Sequence, residues 1–239
     1  MFRQIGFMPI KDPTGIMWLK ERLEQPWGRS DGCNYAASVI PRGYESYAKI
    51  FHPAYLEEEN REITWTELAR NFNRKPHSEM QWQKIIKHDS SFSESIKLRE
   101  PAIGHFPSKQ VKALIEVLRK FTKTPDNCLF AVWEGWGGLE AEKRWPEAAR
   151  FHVPERNYVL LGGPLEAAAI SVLPFCEQSA SVWWPRDRAW CVATEIDLMF
   201  TFVGGTFECI EELLALRSLE VYPAKIDDRV DINGDKINI

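Results

Sequence analysis

Apolar positions follow two regimes along this 239-residue chain: helical spacing in a few stretches, and strand-like runs concentrated in the later half. Val111, Leu114, Ile115, Leu118 and Phe121 recur at steps of three and four, with Lys, Arg and Gln between them. Such steps share one face of a helix, so the spacing predicts an amphipathic helix over 109–122, capped by Ser108 and closed by Pro125. Phe207, Ile210, Leu213, Leu214 and Arg217 predict a second helix over 207–217, with Thr206 as its cap. Shorter helices are expected over 16–23 and, after Thr64, over 65–73.

The strand signals differ in kind. Residues 128–133 form an almost unbroken apolar run, the mark of a strand buried on both faces. Residues 44–51 alternate with period two, and 35–40 are rich in β-formers. Further strands are expected over 158–161, 181–184, 189–196 and 200–203, with Pro185-Arg186-Asp187-Arg188 joining two of them as a hairpin or tight crossover. Near the end, Asn233-Gly234 between Val230-Asp231-Ile232 and Asp235-Lys236-Ile237 predicts a two-residue type I′ hairpin. Strands clustered late, with few helices between them, argue for an α+β fold with a mixed or mainly antiparallel sheet and a few packing helices. Residues 74–107 are polar and broken by Pro76, Pro101, Gly104 and Pro107, which suggests a boundary. On that reading, 1–107 is an irregular α/β subdomain packed on a Trp-rich α+β core of 108–239, the whole forming one cooperative unit.

Composition changes this picture in three ways. Ten Trp and thirteen Phe are enough large aromatics to line both a core and a pocket. Five cysteines at irregular spacing include no C-x-x-C pair. The first ten residues lack the apolar run of a leader, and no apolar stretch approaches a membrane span, so a cytoplasmic protein without membrane attachment is expected. Charge is uneven: 70–123 carry a net +7 and 124–239 a net −9. The basic middle makes nucleic-acid binding a third-ranked option, because it holds no dense basic run and few aromatics for stacking.

Three segments carry a resemblance: Trp183-Trp184-Pro185-Arg186-Asp187-Arg188-Ala189-Trp190-Cys191-Val192-Ala193-Thr194-Glu195-Ile196-Asp197 with Phe202-Val203-Gly204-Gly205, Cys128-Leu129-Phe130-Ala131-Val132-Trp133-Glu134-Gly135-Trp136-Gly137, and Arg42-Gly43-Tyr44-Glu45-Ser46-Tyr47. Together they resemble a family of bacterial proteins found in actinobacteria and bacilli, which implies a bacterial cytosolic protein and brings no activity with it. The layout from Pro107 to Gly135 is similar, more distantly, to SMI1/KNR4-type immunity domains.

Two constellations could carry function. Trp183, Trp184 and Trp190 beside Asp187 and Arg188, with Trp133 and Trp136, suggest a Trp/Arg surface, since an exposed Trp next to Arg anchors interfaces. The leading expectation is therefore a non-catalytic binding module for a protein or small ligand, an immunity-type role being one version. The alternative is a metal-dependent hydrolase, with Glu195 and Asp197 on one strand face, Asp187 across the turn and Glu134 at the end of another strand. His88 and Asp89, with His52 and His77 upstream, form a looser His/Asp grouping. No G-x-G-x-x-G, G-x-x-x-x-G-K-S/T, G-x-S-x-G, H-E-x-x-H or zinc-ligand spacing occurs, so no cofactor is expected.

Overall fold

The computed structural model describes residues 6–86, 97–153 and 155–238. The fold is α+β, built around an antiparallel sheet. In chain order its strands are β1 (Met8–Pro9), β2 (Ser46–Phe51), β3 (Ala54–Leu56), β4 (Arg61–Ile63), β5 (Leu98–Arg99), β6 (Cys128–Trp133), β7 (Arg150–His152), β8 (Asn157–Gly163), β9 (Val182–Pro185), β10 (Cys191–Ala193), β11 (Phe200–Gly205) and β12 (Glu220–Ala224). The main sheet runs β1-β8-β6-β9-β10-β11-β2-β12, with β7 also on β8, and β4-β3-β5 form a small second sheet. Among the described residues every strand pair is antiparallel. The main sheet draws β1 and β2 from before residue 107, and β2 lies between β11 and β12.

Both faces of this sheet are covered, which is why its strands read as continuous apolar runs. Side chains still alternate between two cores. Phe130, Val132, Trp183, Val192 and Val203 meet the helices Ser108–Leu118 and Phe207–Leu214 on one face. Leu129, Ala131, Trp184, Cys191, Phe200 and Phe202 point the other way. They meet the short helices Met17–Arg22, Trp65–Asn71 and Trp82–Ile86 together with Val39, Ile40 and Val230. The indole of Trp190 donates to the Leu118 carbonyl at 2.9 Å, tying the end of a helix to the sheet.

Local signals set most of these elements. Thr64 Oγ1 accepts from Glu67 N at 3.1 Å, and Thr206 Oγ1 from Cys209 N at 3.3 Å, so both act as N-caps. Ser108 does not: the helix starts at Ser108 itself, and its N–H donates to the Glu177 carboxylate. That helix ends at Leu118 and tightens into a 3-10 turn over Arg119–Phe121.

Two expected elements are replaced. The β-rich stretch 35–40 pairs only through a single bridge, Tyr35 with Arg229, and then turns into a buried 3-10 turn, Ala36–Ser38, whose alanines fit against the core. The C-terminal hairpin does not form. Asp231 accepts from Asn233 N at 2.9 Å and starts a 3-10 turn over Ile232–Gly234. Asp235 then accepts from Ile237 N at 3.0 Å and Asn238 N at 2.8 Å. Aspartates that bond their own backbone outcompete the ladder. Asn238 anchors the tail on Lys75, accepting from its N–H at 2.9 Å and donating to its carbonyl at 3.1 Å.

Further upstream, Glu24 and Asp227 each bind both Arg29 and Arg42, joining the N-terminal cover to the C-terminal tail. The short strands β1, β3, β4, β5 and β7 were missed from sequence, and so was β12, whose Pro223 is tolerated because β12 pairs on one side alone, with β2.

Candidate functional site

The residues singled out from sequence do not assemble as expected. Trp183, Trp184 and Trp190 are all buried, with at most 1% exposure, so a Trp surface at the 185–188 turn is absent. Trp183 and Trp184 do point to opposite faces, but each face is a core. Trp183 packs edge-on to Trp190 at 5.4 Å, and Trp184 edge-on to Trp18 at 5.6 Å. Trp133 and Trp136 meet at 5.0 Å and are half-buried.

The four carboxylates are likewise dispersed. Glu134 binds Arg150 at 2.8 Å. Asp187 accepts from Thr122 Oγ1 at 2.9 Å and Lys123 N at 2.6 Å, which fixes its turn to the loop before β6. Glu195 and Asp197 lie beyond the end of β10, so strand alternation does not align them. They share Arg156, at 3.1 and 3.2 Å. Burial pushes the Glu195 carboxyl above its usual range, against the pull of the Asp197 N–H and Arg156. The crevice beside it has room for about one water molecule. Among the described residues no group of three or more His, Cys, Asp or Glu is arranged to hold a metal ion.

The histidines are engaged in structure. A carbonyl only accepts, so His52 Nδ1 must carry the proton it gives to Ala102 O at 2.7 Å. Its Nε2 then accepts from Thr201 Oγ1 at 2.9 Å, and Thr201 accepts from Thr194 Oγ1 at 2.7 Å. Burial lowers the His52 pKa to about 3, so this relay is neutral at physiological pH. His77 contacts Asp235 at 3.0 Å and helps seat the tail. His88 and Asp89 lie outside the described residues.

Arg188 remains, and it marks a different site. The turn Pro185–Arg188 closes with Arg188 N donating to Pro185 O at 2.8 Å and leaves Arg188 at φ 58°. A left-handed non-glycine residue is strained, and such strain gathers at sites held by their surroundings. The Arg188 guanidinium stands 5.5 Å from the Trp18 ring centre. Trp18 and Arg22 are one helical turn apart on Met17–Arg22, so they share a face. Together with Tyr44, Glu45 and Thr206 they line a pocket open to solvent.

Two glycines make room for this arrangement. Gly43 has φ 100°, and a Cβ there would lie 2.5 Å from Arg22 Nη1. At Gly204 a Cβ would lie 2.6 Å from the Tyr44 ring. Any larger residue at either position displaces a wall of the pocket.

Four of the polar side chains of this pocket have no hydrogen-bond partner among the described residues. Among the described residues neither Arg22 nor Arg188 forms a hydrogen bond or ion pair through its side chain. The Tyr44 hydroxyl and the Trp18 indole N–H are buried without a partner. Burial raises the Tyr44 pKa far above the phenol range, so its hydroxyl keeps its proton. The single acid of the lining, Glu45, accepts from Phe207 N at 3.1 Å at the start of the following helix. Two guanidiniums, one carboxylate and two residues that bury an unsatisfied donor therefore line one cavity.

No family model, curated protein or solved structure matches this chain. The site therefore has to be read from its own geometry. Sequence reasoning found Arg188 and missed Trp18, Arg22 and Tyr44. The signal that could have found them was the i, i+4 pair of Trp18 and Arg22 on a helix that the sequence does predict.

Proposed function

We propose that this protein is a non-catalytic binding module whose ligand is a small anion, a carboxylate or phosphate carried on an apolar body. The observation that carries this reading is the pair of guanidiniums, Arg22 and Arg188, lining one pocket with no ion pair. Guanidinium is the side chain best suited to planar, two-point recognition of carboxylate and phosphate. Trp18 and Tyr44 add ring surface for the apolar part and two donors for its oxygens. The helix start at Thr206 contributes little, because Glu45 and Thr206 already take its first N–H groups. This reading keeps the binding function and moves it from the buried tryptophans to the neighbouring pocket. A cytoplasmic location fits the five free cysteines. No helix among the described residues is long and apolar enough to cross a membrane.

The test is thermal unfolding with inorganic phosphate, acetate or malonate against chloride at constant ionic strength. An anion at about 100 times its dissociation constant stabilises by roughly 2.7 kcal/mol. The wild-type chain should show this rise, and the Arg22→Gln/Arg188→Gln double variant should fold normally without it. Equal rises in both chains, or none in the wild type, would remove the pocket as an anion site.

A further inference from the structure

A second cavity, likewise open to solvent, lies on the same side of the sheet, and its chemistry is the reverse of the first. It is bounded by Trp27 and Asn34 of the N-terminal cover, by Trp65, Gln81 and Trp82, by the loop entering β11, and by the C-terminal tail. Among the described residues no Lys or Arg lines it, whereas Asp197 and Asp231 do. Each of those carboxylates is already held by an arginine outside the lining, Asp197 by Arg156 and Asp231 by Arg229. The cavity therefore has neither a cation for an anionic ligand nor an uncommitted carboxylate for a cationic one.

What it does have is an unsatisfied amide. Gln81 is 5% exposed, lines the cavity, and has its Nε2 buried without a partner. A buried donor of this kind needs an acceptor, and an ammonium ligand has none to give. Around it stand the Asn34 and Gln83 carboxamides and indole walls, while two exposed apolar residues, Ile103 and Ile232, form part of the lining. We infer that this cavity binds a neutral polyhydroxylated ring of the saccharide type. Such a ring presents hydroxyls that both donate and accept around its edge, and an apolar C–H face that packs on indole. This inference uses none of the residues of the anion pocket and stands or falls separately from it.

The experiment is saturation-transfer NMR and calorimetry on the full chain with glucose, galactose, N-acetylglucosamine and maltose as probes. Tetramethylammonium and inorganic phosphate serve as the cationic and anionic comparisons. At least one sugar should bind, and Gln81→Leu should weaken it about tenfold, the loss of roughly one hydrogen bond. The melting temperature of Gln81→Leu should equal or exceed that of wild type, because the substitution removes a buried unpaired amide. Binding of tetramethylammonium in preference to every sugar would overturn the ligand class. No sugar binding, or equal affinity in Gln81→Leu, would overturn the site, and Asn34→Ala with unchanged affinity would do so as well.

Discussion

The two faces of the central sheet are built by different rules. The face under Ser108–Leu118 and Phe207–Leu214 is closed by amphipathic helices over Val, Leu, Phe and Trp. The indole N–H of Trp190 is satisfied there, and two buried polar atoms, Gln110 Oε1 and Trp136 Nε1, lack partners. The opposite face is covered by short helices, turns and the chain's C-terminal tail. It carries the unpaired polar atoms of Trp18, Tyr44, Lys49, Gln81 and Trp184, and both cavities described above. A buried polar group without a partner lowers stability, so a face that keeps five of them is organised for something besides stability. The unpaired polar groups, five against two, and both cavities thus gather mainly on one side of the sheet.

That contrast can be broken by mutation. On the closed face, Trp183→Ala should cost roughly 3–5 kcal/mol and Leu114→Ala roughly 2–5 kcal/mol in urea unfolding. If either were nearly silent, the closed face would not be the stabilising one.

Lys49 should give the next largest effect. Its amine is fully buried, has no hydrogen-bond partner, and sits 4.5 Å from the Phe200 ring centre. Burial draws its pKa down from 10.5 to about 8, against the more distant pull of Asp228, Glu79 and Asp235. Between those two values the unfolded chain holds a proton that the folded chain has released, so stability should rise with pH across that window. The rise should be on the order of 3 kcal/mol. Lys49→Met should abolish it and be the more stable protein at neutral pH. A wild-type minus variant difference that stays flat from pH 7 to 11 would show that Lys49 is hydrated.

Thr201→Val tests the one polar chain that is complete. It leaves His52 Nε2 without its donor and the Thr194 hydroxyl without its acceptor, and should cost roughly 1–3 kcal/mol. Loss of less than that would mean that the relay is dispensable. The smallest effect is expected at Asp197, whose side chain is 73% exposed. Asp197→Ala should move stability by no more than about 0.5 kcal/mol. It should also leave the melting temperature equally unresponsive to Mg²⁺, Mn²⁺, Ca²⁺ and Zn²⁺ in both chains, and a metal-dependent rise lost in the variant would restore the hydrolase reading.

Legibility from sequence followed the same division. Amphipathic spacing located Leu114 and Leu213 on their helices, and the unbroken run at β6 announced a strand covered on both sides. These are signals of burial, and burial is what periodicity reports. The open face depends on contacts between distant segments, such as Arg22 with Arg42 and Gly43, or Asn34 with Val230. No local pattern encodes those pairings. The turn at 185–188 was visible, and so was its arginine, but the burial of Trp183, Trp184 and Trp190 was not. A run of tryptophans looks the same in sequence whether it lies in a core or on a surface. The C-terminal tail misled for a related reason: Asn-Gly favours a hairpin only if the flanking aspartates leave the backbone free.

The ends of the main sheet bear on how copies of the chain can meet. At one end β1 is two residues long, and at the other β12 contains Pro223, which lacks an N–H. A short strand and a proline both blunt the template that an open edge offers to another strand. Growth of the sheet from molecule to molecule is therefore discouraged at both ends. Exposed residues on the covers, such as Met17, Phe175 and Phe207, offer a second copy apolar side chains in place of backbone.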